Sequence, residues 1–384
     1  MIIFFSGSIG RLPVGGHAWI DMQYLEGLLA LGHEVYYLEE CGPESWVYNW
    51  ETEQLTTDLS YPADYVRSCL EPLGLAGRWA YRAGEQSEGM SAEEVKEVCS
   101  RADLLLIRAV PLALWRPEYD LPRRRAFIDA DPGFTQISLA QARGRSRLAR
   151  TVARCEHVFT IGQRIGVPDC PVPSAGRRWL KTVPPVSMPH WPFAPDPSGG
   201  PATDFTTVMQ WRGFREAEYK GVYYGQKNKE FLRFMDLPRL TKQPFRLALT
   251  GARPGRFVRH GWEVEEGWVA SRTPCSYREF IQGSRAEFSV AKHGYVLMRS
   301  GWFSDRSVCY LASGRPALVE DTGLGDWLPT GEGLLTFRDM GEALAGVEAI
   351  NSDYDRHRKA ARRVAEDNFD AAKVLPPLIG AAMG

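Results

Sequence analysis

The sequence lacks the features that would assign it quickly to a charged or membrane-bound class of protein. Its 46 Lys and Arg residues are balanced by 47 Asp and Glu residues, so no overall field recruits nucleic acid or an anionic membrane. No apolar run approaches the roughly 18–20 residues of a transmembrane helix. The apolar start, Met1–Phe5, has no basic segment and predicts a first strand rather than a signal peptide. Any anion site must therefore be local.

Cysteine is sparse and has no pattern. The seven cysteines include no Cys-x-x-Cys pair, and their number is odd. This spacing disfavours both a disulfide framework and a zinc site, and it predicts a protein of the reducing cytoplasm without a bound metal. Internal repeats and low-complexity tracts are also lacking.

What the chain does contain is an alternation of strands and helices. The strand Ile2–Phe5 is followed by a loop, by a helix over His17–Leu31 with apolar residues near the 3.6-residue period, and by the strand Glu34–Leu38. Such a strand–helix–strand unit belongs to a parallel sheet. Further buried strands are predicted at Leu104–Ile107, Ala126–Ile128 and Val158–Ile161.

A proline-rich segment divides the chain. Ten of the 26 prolines lie between Val167 and Asp204, a density that blocks helices and central strands. We therefore predict a first domain over 1–180, a linker over 181–204, a second domain over 205–365 and a last helix over 366–384 that crosses back to the first domain. Strands of the second domain are predicted at Thr206–Gln210, Phe245–Thr250, Trp262–Val264, Phe288–Val290 and Ala317–Glu320, before two helices at Asp339–Asn351 and Tyr354–Leu378.

The predicted fold is thus α/β, with two doubly wound domains. At 384 residues the chain is long enough for both. Open α/β sheets bind ligands outside the carboxyl ends of their strands. The active site is therefore expected in the cleft between the domains.

The first loop departs from a dinucleotide fingerprint, because it is too long and lacks the Gly-x-Gly-x-x-Gly spacing. Glu39 and Glu40, at the end of the second strand, nevertheless keep a dinucleotide oxidoreductase open as an alternative. Gly15 and Gly16 permit a close approach of backbone and ligand. His17 follows at the mouth of the helix, where it is either a neutral general base or a helix cap.

Asp129 and Asp131 follow a predicted strand at another carboxyl edge. Either carboxylate is a candidate to orient His17 or to act as the base itself. The alternative is an Asx turn and helix cap, which the sequence Asp131-Pro132-Gly133 also favours.

Anion-binding residues are predicted mainly in the second half. The loop Arg299–Ser304 opens a helix that runs toward Ala312, and a helix N-terminus favours phosphate. Lys292 and Arg306 add positive charge nearby. Arg212 and Lys220 follow the strand Thr206–Gln210 and are candidates to grip a diphosphate, whereas Lys227 and Lys229 are interpreted as solvated side chains. Aromatic residues suited to an acceptor are Trp19, Trp46 and Trp50, together with His190.

These motifs resemble those of the GT-B glycosyltransferases of the family 1 and family 4 superfamily. Gly15-Gly16-His17 and the helix end Leu31–Val35 resemble the start of an acceptor domain. Ser300–Ser307, Tyr310–Pro316 and Val319–Gly323 resemble a nucleotide-sugar domain. The resemblance implies two Rossmann-like domains, a nucleotide diphosphate sugar as donor, no obligatory metal, and transfer to a small-molecule or saccharide acceptor. Nucleic acid is not an expected partner.

The resemblance also implies roles for individual residues. His17 matches the general base of inverting members, with Asp129 or Asp131 as its orienting aspartate. The predicted donor-binding residues are Gly15, Gly16, Arg212, Lys220, Lys292, Arg299, Ser300, Ser304, Arg306, Ser307, Asp321, Thr322 and Gly323. The two glutamates of retaining members are replaced by Gly301 and Cys309, which disfavours the usual ribose contact and a retaining reaction. With His17 as the base, the hypothesis is an inverting reaction. A nucleotide-sugar epimerase is the other alternative.

Overall fold

Two parallel β-sheets with helices around them form the framework of the protein. The structure is a computed structural model that describes residues 1–43, 46–142, 144–195, 203–213 and 216–384. The strands of the first half are β1 (Ile2–Ser6), β2 (Glu34–Glu40), β3 (Val47–Asn49), β4 (Gln54–Thr56), β5 (Trp79–Ala83), β6 (Gln86–Gly89), β7 (Leu104–Arg108), β8 (Arg124–Asp129), β9 (His157–Thr160) and β10 (Trp179–Lys181). Its helices are α1 (Gly15–Ala30), α2 (Ser60–Leu70), α3 (Ala92–Arg101), α4 (Phe134–Ala142) and α5 (Arg147–Ala153).

The second half repeats the alternation. Its strands are β11 (Phe205–Gln210), β12 (Ala217–Tyr219), β13 (Val222–Tyr224), β14 (Phe245–Thr250), β15 (Glu263–Glu266), β16 (Ala286–Ser289), β17 (Ala317–Glu320) and β18 (Leu334–Phe337). Its helices are α6 (Lys227–Phe231), α7 (Gly255–Val258), α8 (Gly267–Ala270), α9 (Pro274–Gln282), α10 (His293–Met298), α11 (Asp305–Ala312), α12 (Met340–Ser352), α13 (Tyr354–Asn368) and α14 (Ala371–Met383).

Strand order shows that both sheets are doubly wound. Within the described residues the first sheet has the order β10-β9-β8-β7-β1-β2-β5-β6, in which the β5–β6 pair alone is antiparallel. The second sheet has the order β15-β14-β11-β16-β17-β18 and is parallel throughout. In each sheet the order reverses beside the first strand of that half. Ligands bind at such a switch point in open α/β sheets, so the predicted α/β fold class is confirmed.

Most predicted elements lie within one to three residues of those observed, because buried apolar runs define both sheets. The exceptions are local. The long helix predicted at Tyr354–Leu378 is two helices, α13 and α14, which meet at Asp370, the residue that caps α14. β5, β6, β10, the β3–β4 hairpin and the β12–β13 hairpin were not predicted. They are only three to five residues long, too short for a clear alternation of apolar and polar residues.

The two halves share one continuous core. Leu25 and Leu28 of α1, Tyr277 of α9 and Leu375 of α14 belong to the same buried cluster. Gly27 allows this packing, because a Cβ at this position would overlap the side chain of Leu375. The last helix therefore packs against the first helix of the chain. The predicted linker 181–204 lies partly outside the described residues, and its part from Thr182 to Pro195 is irregular apart from a short turn at Met188–His190.

Candidate active site

A cavity of about 270 Å³ opens between the carboxyl ends of the two sheets. Both halves of the chain line it. The lining residues are Leu12, Val14, His17 and Trp50 from the first half, and Val208, Met209, Gln210, Thr250, Gly267, Trp268 and Ser271 from the second. Gln210 ends β11 and Thr250 ends β14, so the cavity lies at the edge where doubly wound sheets bind ligands. This cavity, called the cleft cavity below, is the candidate active site.

His17 is the titratable side chain in the wall of the cleft cavity. It lies in the first turn of α1, and its Nε2 is 2.7 Å from the hydroxyl of Ser8. Burial lowers the pKa of His17 to about 4, the charge of Arg108 lowers it as well, and Asp21 opposes them in part. The imidazole is therefore neutral at pH 7, as predicted, although burial rather than the helix dipole is the main cause.

A buried polar network behind His17 was not predicted. Arg108 ends β7 and donates from Nε to Asp21 and from Nη2 to the hydroxyl of Ser8, the latter at 3.4 Å. Asp21 also accepts the backbone N–H of Ser8 at 2.8 Å. Two sequence signals were available: Asp21 follows His17 by four residues on α1, which places both on one helix face, and Arg108 ends an otherwise apolar strand.

Glu39 holds the first loop rather than facing a ligand. Its carboxylate accepts the backbone N–H groups of Gly10 at 2.6 Å and Arg11 at 3.0 Å, and the hydroxyl of Tyr37 at 2.6 Å. A ribose-binding acid in a dehydrogenase needs this carboxylate free. Its contacts therefore argue against the oxidoreductase alternative.

Gly15 and Gly16 bring the second half of the chain onto the N-terminus of α1. The N–H of Gly15 donates to the carbonyl of Ser271 at 2.6 Å, and the N–H of Gly16 donates to the Ser271 hydroxyl at 2.9 Å. A Cβ at Gly15 would overlap the carbonyl of Thr273. The predicted close approach at Gly15 and Gly16 is thus present, but the group that approaches is the Ser271–Thr273 segment of the protein and not a ligand.

The hydrogen bonds of Asp129 and Asp131 go to groups other than His17. Asp129 accepts from the side chains of Gln136 at 2.8 Å and Thr160 at 2.7 Å, and burial raises its pKa. Asp131 accepts from Lys292 at 2.9 Å and from the hydroxyl of Tyr295. The predicted aspartates therefore form a structural turn and a contact between the two halves.

The N-terminus of α11 faces the carboxyl edge of the second sheet. Ser304 caps this helix by accepting the N–H of Arg306 at 3.2 Å. The guanidinium of Arg306 points inward and donates to Glu287 at 2.7 Å, to Ser289 at 2.6 Å and to the carbonyl of Val208 at 2.8 Å. Its charge is thus paired with Glu287. Within the described residues the buried hydroxyl of Ser307 has no hydrogen-bond partner.

Two loops that were predicted to contact the donor hold each other. The N–H of Gly301 donates to the carbonyl of Thr322 at 2.8 Å, and the Thr322 hydroxyl donates to the carbonyl of Trp302 at 2.6 Å. Asp321 caps its own turn by accepting the N–H of Gly323 at 2.8 Å. These contacts give the loop a rigid shape.

Arg164 from the first half contacts the same loops. Its backbone N–H donates to the carbonyl of Ser300 at 3.1 Å, and its Nε donates to the carbonyl of Arg299 at 3.0 Å. The half-exposed guanidinium of Arg299 lies 3.9 Å from both Asp321 and Asp326. The predicted donor loops therefore lie at the boundary between the two halves.

Arg212 and Lys220 lie away from the wall of the cleft cavity. Arg212 is exposed just after β11. Lys220 is exposed in the turn between β12 and β13, with its ammonium 5.5 Å from the ring of Tyr219. The structure does not bring this predicted pair together with His17 in the cavity lining.

Lys227 is a partly buried cation that was interpreted wrongly as solvated. It begins α6. Burial and the charges of Arg306 and Lys292 lower its pKa well below the usual value, although the carboxylates of Glu287 and Glu320 raise it in part. A lysine shifted in this way beside two other cations marks a functional-site candidate. The missed signal is helical spacing: Phe231, four residues on, is buried, whereas Lys229 faces solvent.

The predicted aromatic residues fall in three different environments. Trp19 is buried and donates its indole N–H to the carbonyl of Pro274 at 2.7 Å. The imidazole of His190 contacts the carboxyl group of Glu26 beside Trp19. Trp50 lines the cleft cavity, and Trp46 is 61% exposed. Trp19 and His190 therefore support the packing between the halves.

The described part of the chain contains neither a cluster of metal-binding side chains nor a helix suited to a membrane. No group of three or more His, Cys, Asp or Glu residues there is arranged to hold a metal ion. None of the helices described combines the length and the apolar character needed to cross a bilayer.

The chain is similar to known proteins in structure but not in sequence. No protein-family model matches the chain, and no curated protein matches it in sequence. An alpha-glucosyltransferase solved with UDP and a 13-mer DNA containing an HMU base matches over 100% of both chains, with 11% identity and a TM-score of 0.60. HepE from Anabaena, solved with UDP-glucose, matches over 99% of both chains, with 14% identity and a TM-score of 0.58. Sucrose-phosphate synthase from Thermosynechococcus elongatus matches over 99% of this chain and 98% of its own, with 13% identity and a TM-score of 0.54.

These full-length matches agree with the sheet topology. Both halves carry a doubly wound parallel sheet, and the sheets face each other across the cleft cavity. The chain therefore has the GT-B fold that the sequence predicted.

Proposed function

We propose that this chain is a glycosyltransferase that moves a sugar from a nucleotide diphosphate sugar to a hydroxyl or N–H group of a small molecule or saccharide. The observation that carries the proposal is the cleft cavity, which has a neutral imidazole on the wall of the first half. On the wall of the second half, the carbonyl of Val208 accepts a hydrogen bond from Arg306, whose charge acts on Lys227 together with that of Lys292. Two similar structures were solved in complex with UDP and with UDP-glucose, which supports a donor of this class.

His17 is the proposed general base. When the hydroxyl of Ser8 accepts a hydrogen bond from Nε2 of His17, Nδ1 is the nitrogen free to take the proton of the acceptor. A pKa of about 4 makes the free imidazole a weak base. The negative diphosphate of a bound donor would offset the charge of Arg108 and raise this pKa, so that the base is strengthened when the donor is in place.

The proposed reaction is a single displacement. The acceptor oxygen or nitrogen attacks the anomeric carbon while the bond to the diphosphate breaks, and the configuration inverts. Lys227, Lys292 and the N-terminus of α11 are the groups proposed to stabilise the charge on the leaving diphosphate, without a metal ion. Asp131 is proposed to position Lys292, and Asp129 to hold the turn that carries Asp131.

The proposed setting is the cytoplasm. The seven cysteines are free thiols, six of them buried, as expected for a reducing compartment. A net charge of −1 offers no field for nucleic acid, so the proposed acceptor is a small molecule or a saccharide.

Calorimetric titration with UDP, GDP and dTDP, with and without Mg²⁺, tests the donor site. We expect one nucleotide to bind at micromolar concentration, with an affinity that Mg²⁺ leaves unchanged. Product analysis with the corresponding sugar nucleotide then separates transfer from epimerisation, because an epimerase needs no acceptor. Failure of all three nucleotides to bind contradicts the proposal.

A further inference from the structure

One face of the β3–β4 hairpin is apolar and faces solvent. In this antiparallel pair Tyr48 lies directly opposite Leu55. Side chains alternate between the two faces of a strand, so Trp46 and Trp50 share the face of Tyr48. We call Trp46, Tyr48, Trp50 and Leu55 the hairpin face.

The exposure of this face is unusual. Trp46 and Leu55 are each 61% exposed and Tyr48 is 37% exposed, whereas Val47, on the opposite face, is 2% exposed. The hairpin therefore buries Val47 on one face and presents an apolar group to solvent on the other. Contiguous exposed apolar groups of this kind mark binding surfaces in soluble proteins.

The hairpin face continues into the cleft cavity. Trp50 lines the cavity together with His17, and its ring stacks on Trp268 of the second half at 5.3 Å and an interplanar angle of 11°. Tyr48 contacts Trp50 edge-on at 4.7 Å. An apolar track thus leads from Trp46 at the open end of the hairpin, past Tyr48, to Trp50 in the turn and to the wall that holds the imidazole.

Charge on the hairpin decides which ligand suits this track. Between Trp46 and Thr56 the charged residues are Glu51 and Glu53, and the segment contains no cation. Both glutamates lie at the turn, and Glu51 is paired with Arg272 at 2.8 Å. Arg272 is the cation at this turn, and its pairing with Glu51 leaves it less available to an acidic saccharide or an anionic membrane surface. An uncharged ring system can stack on these residues and bury apolar surface without the cost of removing a charged group from water.

We propose that the hairpin face binds the ring system of an uncharged aromatic acceptor and directs its hydroxyl toward His17. This inference rests on the proposed glycosyltransferase function and names the acceptor class of the same site. In the step concerned, the hydroxyl proton moves to His17, the hydroxyl oxygen forms a bond to the anomeric carbon, and the bond between that carbon and the diphosphate oxygen breaks. The nucleotide diphosphate leaves with the bonding electron pair.

The test uses the full chain and a sugar nucleotide that it binds. The acceptor panel contains 2-naphthol, a flavonol and the neutral trisaccharide maltotriose, and transfer is measured by mass spectrometry. The variants are Trp46→Ser and Leu55→Ser. The matched control is Leu240→Ser, because Leu240 is 55% exposed in the second half, outside the lining of the cleft cavity.

We expect transfer to the aromatic acceptors, with KM raised about tenfold in each hairpin variant and unchanged in Leu240→Ser. Calorimetry should show unchanged nucleotide affinity in every variant, which separates the acceptor site from the donor site. Transfer to maltotriose alone, or an unchanged KM in both hairpin variants, would overturn the proposal. Binding to phosphatidylcholine–phosphatidylglycerol vesicles that is lost in Trp46→Ser would overturn it in favour of a membrane contact. If the unmodified chain binds no nucleotide, the proposed glycosyltransferase function itself is contradicted.

Discussion

At the scale of single residues, burial and pairing decide which charges are available for a ligand. Arg306 was predicted to bind phosphate, yet its guanidinium is used by Glu287, Ser289 and a backbone carbonyl. Lys227 was interpreted as solvated, yet it lies partly buried beside other cations. Residue type alone shows that a charge is present, but its partners are set by the surrounding fold.

Lys227 and Lys229 form a matched pair for testing this point. Lys227→Met should weaken UDP binding by about 10- to 100-fold if UDP is the nucleotide bound, because a charge-assisted contact to the diphosphate is lost. Lys229→Met should leave affinity unchanged, because Lys229 is exposed over the ring of Tyr223. Calorimetry with UDP and with uridine checks the assignment. Equal losses for both ligands would show that Lys227 does not contact the diphosphate.

His17 has a matched control in His33, which lies beyond the other end of the same helix. His17→Ala should reduce the rate of transfer by about 10²- to 10⁴-fold and leave nucleotide affinity unchanged, whereas His33→Ala should leave both unchanged. Steady-state kinetics and calorimetry measure the two effects. Full turnover in His17→Ala would contradict the assignment of the base.

The pKa of His17 also predicts a pH dependence. A base acts in its deprotonated form, and kcat/KM for the donor reports the free enzyme. This kcat/KM should therefore stay level from pH 8 to about pH 5 and fall as pH drops through the pKa of about 4. The unfolded histidine, with its ordinary pKa near 6.5, binds a proton that the folded one does not. Stability should therefore rise with pH between these two values, and His17→Ala should lack this rise. Steady-state kinetics measures the fall of kcat/KM across this pH range, and urea unfolding measures the rise of stability.

At the scale of secondary-structure elements, α1 shows how one helix serves both halves. Its first turn contacts the 271–274 segment, its middle carries Asp21 and its far end packs against α14. This is why α1 is apolar on most sides and why most of its residues are buried. A helix with apolar residues all round is enclosed by other elements.

Gly15 tests the contact between α1 and the second half. Gly15→Ala should destabilise the fold by about 1–3 kcal/mol, because the new methyl group would overlap the carbonyl of Thr273. Gly255→Ala is the control, because its Cβ would meet open space at the start of α7, and it should leave stability within about 1 kcal/mol. Urea unfolding compares the two variants. Equal stability would mean that the close contact at Gly15 contributes little to holding the two halves together.

At the scale of the whole molecule, the shared core ties the two halves together while the cavity lies at their boundary. The same core encloses most of the thiols: Cys275 is the exposed cysteine, and the other six are buried. Burial raises the pKa of Cys69, Cys99 and Cys155 to about 12 in each case. These thiols should therefore be inert in the folded state.

Thiol titration measures this arrangement directly. We expect one cysteine to react rapidly with an aromatic disulfide reagent in the native protein and all seven to react in denaturant. Cys275→Ser should abolish the rapid phase. Rapid reaction of several thiols in the native protein would contradict the shared core.

The sequence by itself determined the α/β class, the two-sheet organisation, the position of His17 at the mouth of the first helix and the loop before α11. Each of these follows from local patterns, since apolar periodicity and turn residues act over a few neighbours. Tertiary structure alone decided that Asp131 pairs with Lys292, that Ser271 covers the N-terminus of α1 and that Arg108 lies behind His17. These contacts join residues that are far apart in the chain, so they depend on how the sheets and helices pack. No local pattern encodes that packing.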